Sequence, residues 1–329
     1  MNLAPVIIFN YNRPDHSQQV WDTLAKNELA ADTELYLYCD GPKANASKEM
    51  RARVLSLQEQ AKQYAVDAKM QGLFKAVHVV CAEKNKGLAN SIIDGVTDVI
   101  NMHERVIVLE DDLLTSPYFL KYMNEGLDVY AKRPSVFSIS GYNYPQVQIS
   151  IPADYKHDVY VGLRACSWGW ATWKNRWEAV DWSLDYLEDF LRHPEQIAAF
   201  NRGGDDLTEM LCLQRDHKID SWAIRFCFAH FKEHAVAIMP CISYIDNVGF
   251  DGSGVHCSNQ QNSIHSNLSL SPKMVRWLEI LYEDSHMVNS FYNIYCRSKR
   301  PFWQRAINTL YRKIGKPIPF IIKKKVYAD

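Results

Sequence analysis

The sequence predicts an α/β fold built on a mostly parallel sheet with helices on both faces. Its 329 residues, 47% hydrophobic and 23% charged, are typical of a folded globular chain. In the first 140 residues, short β-rich apolar runs alternate four times with longer segments of helical pattern. Repeated alternation of strand and helix favours a parallel sheet covered on both faces.

The predicted elements of this first part are well delimited. The apolar runs predict strands at Pro5–Phe9, Glu34–Cys39, Ala76–Cys81 and Arg105–Leu109. Each is followed by a predicted helix, beginning at Pro14, covering 47–71, beginning at Gly87 and beginning at Ser116. Proline suits the first turn of a helix, and Ser116 followed by Pro117 suits an N-cap and its next residue.

From about residue 150 the pattern changes to Trp-rich and Gly-rich segments, with helices predicted near 182–200, 206–216 and 221–232. There is no repeat and no clean linker. We therefore expect one domain over 1–265, divided into a first half at 1–145 and a second half at 146–265. A helical, basic extension at 266–329 follows it.

Charge and cysteine usage narrow the class of protein. Lys and Arg total 37 against 38 Asp and Glu, a balance that gives no sign of nucleic-acid binding. Residues 297–329 nevertheless carry ten basic residues and one acid, which leaves an acidic body with a basic tail.

The eight cysteines form no CxxC pair, so we expect a reducing cytoplasm and no zinc ribbon. Neither a signal peptide nor a membrane span is expected.

Ligands of open parallel sheets bind at the carboxyl ends of the strands, and here each predicted strand is followed by polar residues. The four clusters are Asn10–Arg13, Asp40–Pro42, Glu83–Gly87 and Glu110–Asp112. Neither GxGxxG after the first strand nor GxxxxGK[ST] anywhere is present, which argues against a dinucleotide oxidoreductase or a P-loop enzyme.

The Glu110-Asp111-Asp112 triplet suggests a different way of handling phosphate. It follows a strand predicted to be buried on both faces, and carboxylates there are hard ligands for Mg²⁺ or Mn²⁺. Such a cation neutralises a diphosphate, the leaving group of a nucleotide-activated sugar. The alternative is a solvated acidic turn before a helix.

Seven segments in this order resemble a GT-A glycosyltransferase of the N-acetylglucosaminyltransferase I-like group and its bacterial family 2-like relatives. The resemblance extends over about 1–260 and implies a metal-dependent, inverting enzyme for which a UDP-sugar is the favoured donor, with a nucleotide-sugar-binding half at 1–145 and an acceptor half at 146–265. The segments are PVIIFNYNRPDH, LYLYCDGPK, NKGLANSIIDGV, VIVLEDDLLTSPYF, CSWGWATWKNRW, KIDSWAIRF and NVGFDGSGVHC.

The resemblance assigns roles to the clusters at the strand ends. Asp40 corresponds to the acid that recognises uracil or ribose, although an Asp-Gly-Pro turn is the alternative. Asp112 corresponds to the direct metal ligand, and His256 to a late histidine that binds the metal in many such enzymes. The remaining donor-binding positions are Phe9, Asn10, Tyr11, Arg13, Asn85, Glu110 and Asp111.

An inverting transfer needs a general base for the acceptor hydroxyl. The family's base lies in an Asp-Asp-Trp segment, so Asp220 in Asp-Ser-Trp is the favoured position and Asp206 is the alternative. Either acid could instead cap a helix. Trp168, Gly169 and Trp170 are the acceptor-side candidates, because pyranose faces pack on indole rings.

The basic tail completes these expectations. A helix over about 302–314 would carry an apolar stripe with basic residues away from it, a pattern typical of peripheral docking on an anionic membrane surface. Packing against the catalytic domain is the alternative. If the tail docks, the glycan acceptor would be lipid-linked, and the product a bacterial surface polysaccharide or lipooligosaccharide. A sugar nucleotidyltransferase and a non-catalytic sugar-binding partner are the competing functions.

Overall fold

The computed structural model describes residues 3–251, 268–271 and 274–296, together with Ile307 and Leu310. Its strands are β1 (Val6–Asn10), β2 (Glu34–Cys39), β3 (Ala76–Cys81), β4 (Arg105–Glu110), β5 (Leu113–Thr115), β6 (Val136–Ser140), β7 (Val159–Gly162), β8 (Trp170–Trp173), β9 (Val236–Pro240) and β10 (Ile245–Asn247). Its helices are α1 (Pro14–Ala25), α2 (Lys48–Gln71), α3 (Leu88–His103), α4 (Phe119–Val129), α5 (Lys174–Trp177), α6 (Leu187–Phe190), α7 (Pro194–Phe200), α8 (Leu207–Arg215), α9 (Trp222–Lys232) and α10 (Ser285–Tyr295).

Eight strands form one sheet in the order β3-β2-β1-β4-β8-β6-β9-β7, and β5 pairs with β10 in a separate ribbon. The first four strands of this order are parallel, β8 is antiparallel to both of its neighbours, β9 is parallel to β6, and β7 is antiparallel to β9. The predicted fold class, α/β with a mostly parallel sheet, is confirmed.

Strand β1 lies between β2 and β4, with Ile8 opposite both Leu37 and Leu109. The chain leaves β1 toward β2 and β3, then returns on the other side of β1 as β4. The strand order reverses at this point, and such a reversal opens a crevice at the carboxyl ends of the strands.

Two apolar layers cover the sheet. One contains Val20 of α1, Leu57 of α2 and Met123 of α4. The other contains Ile92 of α3 and Phe226 of α9, among other residues. Residues Val6, Ile7 and Ile8 are fully buried, because β1 is covered on both faces.

Local signals set the ends of the first helices. Pro14 begins α1, and the Ser47 hydroxyl accepts a hydrogen bond of 3.1 Å from the amide of Met50 at the start of α2. Gly72 ends α2 in the left-handed conformation that glycine favours. The four predicted strands agree with β1 to β4 within one residue at each end.

Two sequence expectations were wrong in detail. The predicted helix at 182–200 is two short helices, α6 and α7. Helix α4 begins at Phe119 rather than Ser116, because Ser116 donates to the carbonyl oxygens of Tyr244 and Ser269 and the next two residues form a turn.

The described part of the C-terminal region packs on the body of the protein. The Trp277 ring stacks on Tyr122 of α4, with 5.2 Å between centroids. Met287 and Phe291 of α10 are buried with Tyr160 of β7. No helix among the described residues has the length and apolar character needed to cross a membrane. The tail helix predicted at 302–314 lies outside the described residues, apart from two isolated positions.

His230 of α9 provides a test of the packing beneath the sheet. Its ring is buried, and its Nε2 forms a hydrogen bond of 2.8 Å with the Ser138 hydroxyl. Burial lowers the pKa of His230 to about 4. An unfolded histidine titrates near pH 6.5, so protons favour the unfolded state as the pH falls from about 6.5 toward 4.

We expect wild-type protein to lose about 2 kcal/mol of unfolding free energy through His230 between pH 7 and pH 5. Urea unfolding at both pH values should show a correspondingly smaller loss for His230→Gln. His193→Gln, which removes a histidine at the surface, is the matched control and should follow the wild type. Equal losses for His230→Gln and wild type would contradict this account.

Candidate functional site

A cleft of about 400 Å³ opens at the carboxyl ends of β1 to β4, where the strand order reverses. It contains members of all four polar clusters found in the sequence. The predicted donor positions that line it are Phe9, Asn10, Tyr11, Arg13, Asp40, Asn85, Glu110, Asp111 and Asp112. The structure therefore brings together residues that are up to 103 positions apart, as expected from the parallel sheet.

One end of the cleft is aromatic. The Phe9 and Tyr38 rings lie 5.6 Å apart, and Gly95 of α3 lies directly against both. A Cβ atom on Gly95 would lie 2.8 Å from the Phe9 ring, so only glycine permits this approach of α3. Burial and the carboxylate of Asp98 raise the pKa of Tyr38 to about 12, which keeps the phenol neutral.

Sequence reasoning missed Tyr38 and Asp98 as cleft residues. Tyr38 lies within β2 rather than after it, and Asp98 is in the third turn of α3. The alternation of Tyr36, Tyr38 and the intervening aliphatic residues in β2 was the available signal.

Asn10 is structural in this arrangement. Its side chain is 3% exposed, donates to the carbonyl oxygens of Ile8 and Tyr38, and accepts from the indole of Trp21. These bonds fix the end of β1 to β2 and α1. Tyr11, the next residue, is partly exposed at the rim of the cleft.

The Asp40 carboxylate organises the loop between β3 and α3. One oxygen accepts from the amides of Gly41 and Lys86, both at 2.8 Å. The other accepts from the Asn85 side chain at 2.7 Å and from the Gly87 amide at 3.2 Å. A carboxylate has about four acceptor sites, so Asp40 is saturated by its own chain. Asn85 likewise contacts the protein rather than open space, since it also donates to the Gly41 carbonyl at 3.1 Å.

The loops that follow β2 and β3 pack tightly. A Cβ atom on Gly41 would lie 2.5 Å from the backbone carbon of Lys84. Gln58 of α2 donates to the carbonyl oxygens of both Asp40 and Ala82. Gln58 therefore links the loop after β2 to the loop after β3.

Arg13 pairs with both acids at the end of β4. Its guanidinium donates to Asp111 and, at 2.9 Å, to Asp112. The two acids are 5% and 9% exposed. Burial lowers the pKa of Arg13, and the two carboxylates outweigh it, so its pKa is raised. Burial raises the pKa of Asp111, against the effect of the Arg13 charge.

Asp112 also contacts the residues that directly follow β10. The Val248 amide donates to the Asp112 carbonyl at 2.9 Å. A Cβ atom on Gly249 would lie 2.2 Å from Oδ2 of Asp112 and 3.1 Å from the Arg13 guanidinium. Glycine at this position is therefore needed for close approach to the acids, another feature that the sequence did not reveal.

Asp111 and Asp112 are suitable ligands for a divalent cation if a bound diphosphate supplies further ligands. Within the described part of the chain, no three His, Cys, Asp or Glu side chains cluster as a complete metal site. Mg²⁺, however, is commonly held by one or two carboxylates together with substrate phosphates. Two carboxylates against one guanidinium leave a formal charge of −1, and Nη1 of Arg13 is buried without a hydrogen-bond partner among the described residues. Both features suit a site completed by a cation and its anionic ligand.

Asp220 lies at the edge of the cleft, beside the loop that Asp40 holds. Its Oδ2 is 3.8 Å from the point that a Cβ atom on Gly87 would occupy. The Asp220 side chain is 57% exposed, and its other oxygen lies 3.6 Å from Arg225. Ser221, not Asp220, is the N-cap of α9, because its hydroxyl accepts from the Ile224 amide. The predicted capping alternative for Asp220 is therefore not what the structure has.

Asp206 is in a different environment. Arg164 donates to it at 2.8 Å, and both side chains are about 95% buried. The Arg164 guanidinium also lies 3.8 Å from the centre of the Tyr295 ring. Asp206 thus belongs to an internal ion pair whose arginine also contacts α10.

The acceptor-side candidates separate into core and surface. Trp170 is 1% exposed and stacks on Trp222, with 4.9 Å between centroids. Gly169 is buried in a positive-φ conformation against Ile245. Trp168 is partly exposed and meets Phe250 edge to face. His256, the candidate second metal ligand, lies outside the described residues.

No protein-family profile and no curated protein sequence matches the chain. Among solved structures, the chain is similar to S. aureus TarS 1–349, with a TM-score of 0.40 and 12% identity over 74% of this chain and 59% of that one. It is also similar to the structure of GalNAc-T7 with UDP, GalNAc and Mn²⁺. The TM-score is 0.44, with 12% identity over 73% of this chain and 43% of that one. A third similar structure is UDP-glucose pyrophosphorylase complexed with UDP-glucose. Its TM-score is 0.38, with 12% identity over 72% of this chain and 90% of that one. The chain covers less than two thirds of the TarS and GalNAc-T7 structures.

The hydrogen bonds of the Asp40 carboxylate lead to a prediction that can be tested on the protein without any ligand. In Asp40→Asn, one acceptor oxygen becomes an NH₂ group facing two donors, so the loop at 85–87 should open more often. We expect hydrogen exchange at the amides of Lys86 and Gly87 to accelerate about tenfold or more.

Asp94→Asn is the matched control, because Asp94 forms an exposed ion pair with the side chain of Lys86 at 2.8 Å. Exchange in this variant should remain at the wild-type rate. Unchanged protection in Asp40→Asn would show that the carboxylate does not hold the loop.

Proposed function

We propose that this protein is a metal-dependent, inverting GT-A glycosyltransferase that transfers a sugar from a nucleotide-diphosphate donor, UDP-sugar being favoured, to a hydroxyl of a glycan acceptor. The observation that carries this proposal is the pair of buried carboxylates, Asp111 and Asp112, that Arg13 only partly neutralises at the end of the nucleotide-sized cleft. The seven sequence segments that resemble such enzymes support the same assignment.

In this proposal the aromatic end of the cleft receives the nucleotide base. Phe9 and Tyr38 supply apolar surface on which a base can pack, while Asp98 and Tyr11 provide polar groups nearby. Asp40, assigned by resemblance to base or ribose recognition, acts instead by holding Asn85 and the backbone at 86–87 in place. It is a positioning residue in this role.

Glu110, Asp111 and Asp112 face the diphosphate and donor sugar. Mn²⁺ or Mg²⁺ bound there would neutralise charge that develops on the leaving diphosphate. Asp112 is the proposed protein ligand, with His256 a further candidate. Arg13 compensates the carboxylates and can share its charge with phosphate oxygens, since its Nη1 has no hydrogen-bond partner within the described part of the chain.

Asp220 is the proposed general base. It removes the proton from the acceptor hydroxyl as that oxygen attacks the donor carbon, and its exposure leaves room for an acceptor to approach. Arg225 lies beside it and limits where the carboxylate can point. The alternative base, Asp206, would have to break its buried pair with Arg164.

Trp168 is the proposed acceptor contact, because it is the partly exposed tryptophan of the Trp168–Trp170 segment. The basic tail at 297–329 supports a cytoplasmic enzyme that docks peripherally on an anionic membrane and uses a lipid-linked glycan. The products would then belong to bacterial surface polysaccharide or lipooligosaccharide synthesis.

A sugar nucleotidyltransferase is the second candidate function, since it would use the same cleft and acids. The chain has NYNRPDH after β1, where nucleotidyltransferases usually carry a Gly-rich loop with Arg and Lys. Formation of a UDP-sugar from UTP and a sugar phosphate would favour it over transfer.

Nucleotide binding should depend on both metal and Asp112. At one hundred times its dissociation constant, UDP with Mn²⁺ should stabilise the wild type by about 2.7 kcal/mol, and chelator should remove most of this effect. Asp112→Asn should lose the metal-dependent part, whereas Asp22→Asn, an exposed acid of α1, should keep it. Differential scanning fluorimetry with UDP, GDP, CDP and dTDP measures this. Stabilisation by none of the four would overturn the proposed donor site.

Asp220→Asn should lower the transfer rate about 10²- to 10⁴-fold, because the amide cannot accept the hydroxyl proton. Its stabilisation by UDP and Mn²⁺ should match the wild type. Asp216→Asn, in the preceding turn and paired with Arg215, is the control and should retain transfer. Sugar transfer is measured as release of nucleoside diphosphate with acceptor present. Full activity of Asp220→Asn would remove it from the mechanism.

A further inference from the structure

Two cysteines end the neighbouring strands β2 and β3. Cys39 and Cys81 are register partners in the parallel pairing, so their side chains point to the same face of the sheet. Neighbouring strands lie about 4.8 Å apart, within the range of about 4.4 to 6.8 Å between the Cα atoms of disulfide-bonded residues. Both thiols are free.

The two thiols differ in access. Cys39 is 2% exposed and packs in the layer that contains Leu57 of α2. Cys81 is partly exposed, since β3 is the edge strand. A hydrogen bond from Cys39 lowers the pKa of the Cys81 thiol, and the nearby Lys62 charge acts in the same direction. Cys81 is therefore the more accessible and the more nucleophilic of the pair.

The pair lies at the base of the two loops that form the rim of the cleft, and both residues line that cleft. Asp40 follows Cys39 directly, and the Ala82 amide donates to the Cys39 carbonyl at 2.9 Å. The close packing of Gly41 on Lys84 leaves these loops little room to adjust.

We propose that Cys39 and Cys81 form a modification site at which a low-molecular-weight disulfide introduces a reversible internal disulfide. The Cys81 thiolate attacks one sulfur of the reagent RSSR, which forms a Cys81–SR mixed disulfide and releases RS⁻. The Cys39 sulfur then attacks the Cys81 sulfur, its proton leaves with the second RS⁻ as RSH, and the Cys39–Cys81 bond forms. The two cysteines are oxidised, and RSSR is reduced to two thiols.

The crosslink should also impair the cleft. An S–S bond of about 2.05 Å requires both cysteine side chains to rotate from the thiol geometry to a Cβ–S–S–Cβ dihedral of about 90°, which shifts Asp40 and Ala82, the residues that follow them. The loop at 85–87, which depends on Asp40, then loses its geometry. This consequence rests on the proposed function, whereas formation of the crosslink does not.

The test treats the full chain with hydroxyethyl disulfide and maps its peptides by mass spectrometry without reduction. We expect a Cys39–Cys81 crosslinked peptide in the wild type and in the control Cys212→Ala, which removes a partly exposed cysteine of α8. In Cys39→Ala the reagent should remain on Cys81. In Cys81→Ala, Cys39 should stay unmodified because it is buried. The thermal transition of each variant before treatment verifies that it is folded.

Binding of UDP with Mn²⁺ is then measured before oxidation, after oxidation and after reduction. At least a tenfold loss of affinity that reductant reverses supports the proposal. Absence of the crosslinked peptide, or equal modification of Cys39 in Cys81→Ala, overturns the site. Crosslinking with unchanged affinity overturns the effect on the cleft. If oxidation yields the crosslinked peptide but the reduced wild type does not bind UDP, the result counts against the proposed function and not against the dithiol site.

Discussion

The pairing of β1 with β2 on one side and β4 on the other is the constraint on which the rest of the structure depends. It places the residues after β1 within reach of two loops that are distant in sequence, so that Arg13 meets Asp111 and Asp112. The apolar residues of β1 are fully buried, and hydrogen bonds to both neighbours leave the strand no other register. The cleft follows from this arrangement of strands, and its side chains determine which chemistry it can perform.

The site concentrates buried polar groups at the expense of folding free energy. Asp111 and Asp112 are buried together, with a single guanidinium to balance two carboxylates. Burying like charges is unfavourable, and proteins tolerate it mainly where a ligand later compensates. By contrast, Asp40 lies among four donors of its own chain and has a complete set of hydrogen bonds. The two acidic sites thus differ: the charge of Asp111 and Asp112 is only partly compensated, whereas Asp40 is fully hydrogen-bonded and holds a loop in place.

The sequence predicted the first half of the fold well because β1 to β4 are continuous apolar runs with clear helix starts between them. It did not predict β8, since Trp170–Trp173 has only four residues and becomes a strand through pairing with β4 and β6. The candidate site was found at the strand ends, but individual roles were not. Whether Trp170 faces solvent or the core depends on Trp222, which is 52 positions away. The closeness of Gly249 to Asp112 likewise depends on a pairing between β5 and β10 that no local pattern encodes.

That pairing has a consequence for the order in which the molecule is assembled. During synthesis the first four strands and their helices emerge early and contain most of their partners within the first 110 residues. Residues 245–249, which pair with β5 and pack against Asp112, emerge more than 130 positions later. Contacts so distant in sequence form slowly, because closing a long loop costs entropy before the contact stabilises it. A nascent chain therefore acquires its cleft well before it completes the surroundings of its acids, and the polar centre is among the last parts of the molecule to become native.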